Sequence, residues 1–384
     1  MKNIRVLYIE AAYGFGGSLT GLLQLFQNLP PHIEPVLVTP FDPWTHIEKP
    51  VGLIHRHVDI TAPIVKQDGH WLPGILRYRR DEFLPWKRNV QELIRQFSPQ
   101  MVHANNSLMI NYACGHAAKA CRVPSICHQK DFEYEGKLIR LMAKFSRFDH
   151  HIATSHANAT QLIQLGISKK RCTAIYEPVV GPTATQLQYR QSLGHRDLPV
   201  VAMHSMVIHW KGQHVFLRAI AEVIRRGNVA IKPVIAGSAP AGEPGYMNEL
   251  KTLAKELGIS DQVDFIGHQR DVYQFLAGVD VAVHASVSPE PFGRVVPEAM
   301  LMGIAGIVST GGGPAEYVTH GQTGLHAASG DVSGLADAIE QLAMSPETRE
   351  SMGVAARAFA LENFDASRLT GNVVALYDRI LAGR

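Results

Sequence analysis

The chain has 384 residues, 46% of them hydrophobic, and a formal net charge of +3. That length fits two domains and that apolar content fills two cores, which excludes an intrinsically disordered chain. The charge is too mild to argue for nucleic acid as a partner. Cys114, Cys121, Cys127 and Cys172 lack CxxC spacing, which speaks against a zinc ribbon and for a reduced, cytoplasmic protein with scattered core thiols. The sequence runs from Met1 straight into a strand pattern, without a signal peptide, and no apolar run approaches 18 residues. Any membrane contact is therefore expected to be peripheral.

Residues 4–10 read as a first buried strand. The loop Gly14-Phe15-Gly16-Gly17-Ser18 follows, then an apolar helix over 19–29. Strand, glycine loop and helix form a phosphate-cradle layout, because glycines let backbone N–H groups approach an anion at a helix N-terminus. A tight turn with a helix cap is the plain alternative. The dinucleotide fingerprint fails at Leu19, and no Walker A sequence occurs. Residues 35–39 read as a second strand, and 40–75 as irregular. A basic, aromatic stretch then holds Trp71, Arg77, Tyr78, Arg79, Arg80, Trp86, Lys87, Arg88 and Arg95, with a helix expected over 83–97. Lys137, Arg140, Lys144 and Arg147 share a helix face by spacing. Both groups are either solvated helix faces or an acceptor or membrane-surface patch. Residues 100–106 and 124–131 each read as a strand ending in polar groups. That plan places His103, Asn105, His128 and Asp131 at strand carboxyl ends. Residues 151–155 open another strand-to-helix turn.

Residues 178–198 read as a linker, and 199–204 as the first strand of a second domain. Trp210-Lys211-Gly212-Gln213-His214 leads into a helix over 215–226. Residues 233–238 read as a strand with a glycine turn, and 263–272 as a strand leading to a helix start that includes Arg270. A buried strand over 279–284 precedes Glu290, the loop Pro291-Phe292-Gly293-Arg294, and a second acid, Glu298. Pro297 suits a first helical position, an acid behind it suits the helix dipole, and the short helix 298–302 stops at Gly303. A second apolar run, 304–309, ends in Gly311-Gly312-Gly313. Two strand ends thus set loops side by side at the carboxyl edge of a sheet, where open α/β folds bind ligands. Residues 331–344 and 366–381 read as helices. Strands and helices alternate in both halves, so each is expected to be a doubly wound parallel sheet.

The stretch from Glu290 to Glu298 resembles the donor-sugar motif of retaining GT-B glycosyltransferases of family 4, in which two Glu residues are separated by seven positions. Glu298-Ala299-Met300, Gly303, Gly312-Gly313, Glu316, Gly321, Gly324 and Asp331 stand in register with that motif. The resemblance covers about the last half of the chain well and the first half loosely. It implies an α/β GT-B fold: two Rossmann-like doubly wound parallel-sheet domains facing across a cleft. Residues 1–182, completed by the terminal helix 366–384, would form the acceptor-side domain, and 195–365 the nucleotide-sugar domain.

The resemblance also implies roles. Lys211 matches the family's donor-phosphate lysine, and His128 its catalytic-site histidine. Glu290 would accept hydrogen bonds from sugar hydroxyls, beside the N–H groups of Phe292, Gly293 and Arg294, and Glu298 would accept both ribose hydroxyls. Gly16 and Gly17 would face the donor phosphates, and the turn holding Arg270 would contact the base, largely through backbone groups. The implied co-substrate is a UDP- or GDP-linked sugar, with no other cofactor and no metal. Chemistry would rest on preorganised charge, with retention of anomeric configuration. No Asp-x-Asp occurs, which disfavours the metal-dependent GT-A class, and the spacing of His204, His209 and His214 does not suit a metal site. Two departures stand out. Ser205-Met206 occupies the place of the family's Gly-Arg pair, and Glu177 that of an Asn. A sugar-nucleotide epimerase and a non-catalytic nucleotide-sugar-binding partner are the competing readings.

Overall fold

The computed structural model describes residues 3–11, 16–45, 48–58, 78–134, 136–194, 198–240 and 245–383. Gly14, Phe15, Trp71 and Arg77, singled out above, lie outside the described residues. The chain divides into two compact units, 1–178 with 366–384, and 179–365.

The first unit holds a parallel sheet of β1 (Ile4–Glu10), β2 (Ile33–Thr39), β3 (Ile54–His57), β4 (Met101–Asn106), β5 (Ser125–Gln129), β6 (His150–Ala153) and β7 (Cys172–Ala174), in the order β3-β2-β1-β4-β5-β6-β7. Its central strands are buried on both faces, as a parallel sheet covered by helices requires. Leu7 and Ile9 enter one core with Val102, Ala104, Trp86 and Val90. Val6 and Tyr8 enter the opposite core with Leu22, Phe26 and, from the terminal helix Ala366–Ala382, Leu369, Val373 and Tyr377. Order reverses between β1 and β4, so the carboxyl end of β1 lies at a switch point of the sheet.

The second unit repeats the plan with β8 (Val200–His204), β9 (Lys232–Ala236), β10 (Asp264–Gly267), β11 (Val281–His284), β12 (Ala305–Ser309) and β13 (Gly324–Ala327), in the order β10-β9-β8-β11-β12-β13. Its switch point falls between β8 and β11, which pair in parallel. The Lys211 loop follows β8 and the Glu290 loop follows β11. Two segments 79 residues apart therefore emerge side by side at the carboxyl edge.

Three expectations change. The stretch read as irregular contains β3, an edge strand whose Ile54, Arg56 and His57 are exposed; without a buried apolar run it gave no strand signal. The expected linker contains the helix Ala184–Leu193, closed by a capping box of Thr183 and Gln186. No residue of that helix is buried, so apolar periodicity could not reveal it. The helix carrying Glu298 starts at Val295, which puts Pro297 third. That place still costs no hydrogen bond, because the first N–H groups of a helix have no intrahelical acceptor.

Candidate functional site

In the second unit the backbone brings the acid and the lysine together. Gly212 has φ +80°, and a Cβ there would stand 2.0 Å from the carbonyl oxygen of Ala285. Only glycine lets the Trp210-Lys211-Gly212 turn settle onto the end of β11, where the Val287 N–H donates to the Trp210 carbonyl at 2.9 Å. Gln213 fastens the same turn to the segment after β8, donating to Ser205 Oγ and the Met206 carbonyl, each at 2.9 Å. Lys211 Nζ lies 4.0 Å from the centre of the Trp210 ring and 2.5 Å from Glu290 Oε2.

Glu290 is buried, and its Oε2 is crowded with polar groups. Ser286 Oγ donates to it at 3.2 Å, and His284 Nε2 stands 3.4 Å away. Ser309 Oγ, on the neighbouring β12, lies 3.2 Å from His284 Nδ1, so the imidazole is held from both sides. Burial pushes the Glu290 carboxyl up. The Lys211 ammonium and the hydrogen bonds of His284 and Lys211 outweigh that and hold it down at about 2. Glu290 is thus a carboxylate at neutral pH.

The loop after Glu290 is closed by glycines. Gly293 has φ +71°, and its missing Cβ would meet Pro314 at 2.8 Å. Tyr317 donates its hydroxyl to the Phe292 carbonyl, while the Phe292 ring lies against Tyr317 and Phe364. Phe292 is therefore a buried anchor whose backbone fixes the loop. Glu298, on the following helix, is less enclosed. Its Oε1 lies 3.5 Å from Arg294 Nη2 and its Oε2 lies 3.6 Å from His204 Nε2. Arg270 is exposed, in the turn between β10 and the helix Val272–Leu276. Met206, in the place of the family arginine, is 46% exposed. Lys211, Glu290, Phe292, Gly293, Arg294 and Glu298 thus form one connected group, with Arg270 on a separate turn of the same sheet edge.

In the first unit Gly16 is the extended residue before the helix Gly17–Gln27, with no side-chain cap. Ser18 does not cap that helix. Its hydroxyl donates to Glu10 Oε2 at 2.7 Å, and Asn105 Nδ2 donates to the same oxygen at 2.5 Å. Buried Glu10, at the end of β1, therefore ties Ser18, in the first turn of that helix, to β4. The sequence reading left Glu10 without a role; the signal was a lone acid closing a buried apolar run.

His128 sits at the carboxyl end of β5, as its spacing predicts, but it is only 2% exposed. Its Nδ1 lies 3.1 Å from His103 Nε2, and its Nε2 lies 3.2 Å from Lys130 Nζ, which also pairs with Glu177. His103 Nδ1 lies 2.5 Å from the Tyr377 hydroxyl, which donates to Tyr8 at 3.1 Å. Lysine can only donate, so His128 Nε2 accepts, and the remaining hydrogen bonds then run in one direction to Tyr8. Burial and the Lys130 charge hold His128 well below the usual histidine range. It is a neutral group with both nitrogens engaged. Glu177, in the family's Asn position, is the buried counter-charge to Lys130.

Sequence comparison points the same way. The model for glycosyl transferases group 1 matches residues 186–359, and that for glycosyltransferase family 4 matches residues 15–180. N-acetyl-alpha-D-glucosaminyl L-malate synthase of Bacillus anthracis is 36% identical over 294 residues, which is 71% of this chain and 74% of that protein. The lipopolysaccharide core biosynthesis glycosyltransferase LpsE of Rhizobium meliloti (strain 1021) is 35% identical over 146 residues, spanning 38% of this chain and 40% of the relative. Among solved structures, Anabaena Alr3699/HepE in complex with UDP-glucose superposes with a TM-score of 0.81 at 22% identity, covering 98% of this chain and 100% of the other. That likeness establishes the GT-B fold.

Proposed function

The chain belongs to the glycosyl transferases group 1 family, and from that premise we propose that it is a retaining glycosyltransferase, moving a sugar from a nucleotide diphosphate sugar to a glycan, lipid-linked or small-molecule acceptor. The observation that carries this reading is the pairing of Lys211 with the buried Glu290 at the switch point of the second sheet, with Glu298 on the adjoining helix. The Lys211 ammonium bridges from Glu290 to a donor phosphate oxygen and offsets the charge that develops as the diphosphate departs. Ionised Glu290 accepts hydrogen bonds from sugar hydroxyls, and Glu298 accepts those of the ribose. In the first unit, the uncapped N–H groups at Gly16 and Gly17 form an anion-binding element of their own. The Arg270 turn holds the base. The leaving phosphate takes the acceptor's proton, so no side chain need serve as general base. His128, neutral and engaged on both nitrogens, holds Lys130 in place rather than moving a proton.

The UDP-glucose complex of the Anabaena neighbour makes a UDP-linked sugar the first donor to test, and GDP-linked sugars the second. Among the described residues no helix is long and apolar enough to cross a membrane. The helix Lys137–Lys144 supports a peripheral contact instead: it buries Ile139, Met142 and Ala143 and exposes Lys137, Arg140, Leu141, Lys144 and the adjoining Phe145.

The test is a thermal-shift screen of nucleotide sugars, followed by turnover with an acceptor panel in EDTA and NMR of the product. A donor that raises the melting temperature, and a product that keeps the donor's anomeric configuration, support the proposal. Inversion refutes retention, loss of turnover in EDTA refutes metal independence, and binding without transfer to any acceptor favours the non-catalytic reading.

A further inference from the structure

Each glutamate of the donor-side group has a histidine beneath it on the sheet. His284 closes β11 under Glu290, and His204 closes β8 under Glu298. The two differ in how fully they are engaged. His284 has Ser286, Glu290 and Ser309 around its ring nitrogens. His204 is more than nine-tenths buried, yet its Nε2 makes no hydrogen bond. The polar atom nearest to it among the described contacts is Glu298 Oε2 at 3.6 Å, just beyond hydrogen-bond length. Arg294 Nη2 approaches the other carboxylate oxygen to 3.5 Å. A buried ring nitrogen without a partner is costly unless something completes it.

We propose that His204 is a positioning residue for ribose recognition: on nucleotide binding its Nε2–H closes onto Glu298 Oε2 and orients the carboxylate for the 2′- and 3′-hydroxyls of the ribose. Arg294 steadies Oε1, and the outward lone pairs of both oxygens are left to accept the two hydroxyls. A carboxylate fixed in this way distinguishes a ribonucleotide from its 2′-deoxy counterpart, because the missing hydroxyl leaves an oriented acceptor without its donor. The inference rests on the reading of Glu298 as the ribose acceptor. It adds that the orientation comes from a strand-end histidine that lies outside the glutamate motif.

Calorimetry with UDP, 2′-deoxy-UDP, GDP and 2′-deoxy-GDP tests it on the wild-type protein and on His204→Leu and His204→Gln. The expected result is that the wild type prefers the ribonucleotide of the accepted base by about tenfold or more, the scale of a hydrogen bond to a charged group. His204→Leu loses most of that preference while keeping its affinity for the deoxy form. His204→Gln, whose amide N–H reaches the same place, retains it. A wild-type preference that survives intact in His204→Leu overturns the role of His204 and leaves that of Glu298 standing. No ribose preference in the wild type overturns both, and failure to bind any of the four nucleotides overturns the donor-site reading itself. If His204→Leu does not fold, the wild-type imidazole ¹⁵N resonances decide. The His204 Nε2–H must move on adding the ribonucleotide and not the deoxynucleotide, and identical spectra refute the proposal.

Discussion

Glu290 and Gly312 meet backbone to backbone, joined in a parallel bridge, with the Gly313 N–H donating to the Glu290 carbonyl at 2.8 Å. No side chain fits at that contact. A Cβ on Gly312 would stand 2.2 Å from the Glu290 carbonyl oxygen and 2.7 Å from its nitrogen, and Gly312 has φ +79°. The glycine run after β12 therefore sets the height at which Glu290 leaves its own strand. Gly312→Ala is expected to destabilise the protein by about 2 kcal/mol or more, through left-handed strain plus a backbone clash, and to weaken donor binding. Chemical denaturation and nucleotide titration check this. An unchanged denaturation midpoint would show that the two loops are not coupled.

Much of this was legible in the sequence for a simple reason. The central strands are nearly continuous apolar runs, Lys211 sits in its own Trp-Lys-Gly-Gln turn, and Glu290, Glu298 and the glycines after them sit in a motif with fixed spacing. What was not legible depended on strand order. His284, Ser309 and His204 are single polar residues at the ends of buried runs, and they become neighbours of the glutamates only because β8, β11 and β12 are adjacent. Trp86, grouped with a basic surface by composition, is buried in the core, because position on a helix rather than residue type decides which side faces in. The pairing of Lys130 with Glu177 joins residues 47 positions apart and could not be read from either segment alone.

The buried histidines of the first unit predict loss of stability in mild acid. Burial, then the Lys130 charge, lowers His103 from 6.5 to about 3; burial, then Arg171 and His150, lowers His151 to about 3. His128 is lowered in the same direction. Each binds its proton more weakly folded than unfolded. Their stabilising effect is therefore complete above about pH 6.5 and is lost as pH falls toward about 3. Glu133 opposes them: burial raises it to about 7, so its effect favours the folded state below about 4.5 and fades as pH rises through 7. The histidines outnumber it, and the urea midpoint is expected to drop between pH 7 and pH 5. His103→Gln should flatten that slope, and a midpoint constant over this range would contradict the assignment.

Glu298→Gln should separate binding from chemistry. The ribose contacts that the proposed function gives Glu298 are similar in the ground and transition states, so their loss raises KM with little change in kcat. A rise of roughly tenfold or more in donor KM is expected, the scale of hydrogen bonds to a charged group. Steady-state kinetics with the accepted donor is the measurement. A collapse of kcat with KM intact would place Glu298 in the chemical step instead.

The helix Lys137–Lys144 should carry the protein onto anionic membranes. Its exposed Lys137, Arg140 and Lys144 supply charge, and Leu141, 44% exposed, and Phe145, 50% exposed, supply apolar contact. Flotation with phosphatidylserine vesicles at low salt should recover the protein, and recovery should fall as salt is added. Replacing the three basic residues with Gln should reduce it sharply. Absence of binding at low salt would remove the idea, since screening only weakens such contacts.

The proposed function gives Lys211 two charge roles at once, and the two can be pulled apart. In the free protein it helps hold buried Glu290 as a carboxylate, so Lys211→Ala leaves that carboxyl desolvated and without its cation, with Ser286 and His284 beside it. Breaking a buried pair from one side costs about 3–5 kcal/mol, and the Glu290 carboxyl should rise out of its depressed range, since burial then acts with less opposition. The stability that Glu290 contributes in the wild type is lost only as pH falls from about 4.5 toward about 2; in Lys211→Ala the carboxyl is held down less, so that acid-side loss should shrink. The double variant Lys211→Ala/Glu290→Gln removes the stranded charge and should recover much of the stability. It should not recover transfer, because the proposed function also places the ammonium at the departing diphosphate, where one strong donor is worth about 3 kcal/mol. Met206→Arg tests the same charge from the other side. It restores a guanidinium at an exposed position where the family carries one, and should keep or strengthen diphosphate binding. Denaturation against pH, calorimetry with the accepted donor and single-turnover kinetics on the three variants decide the matter. If Lys211→Ala keeps both donor affinity and turnover, the phosphate site lies elsewhere, and the Lys211–Glu290 pair serves stability alone.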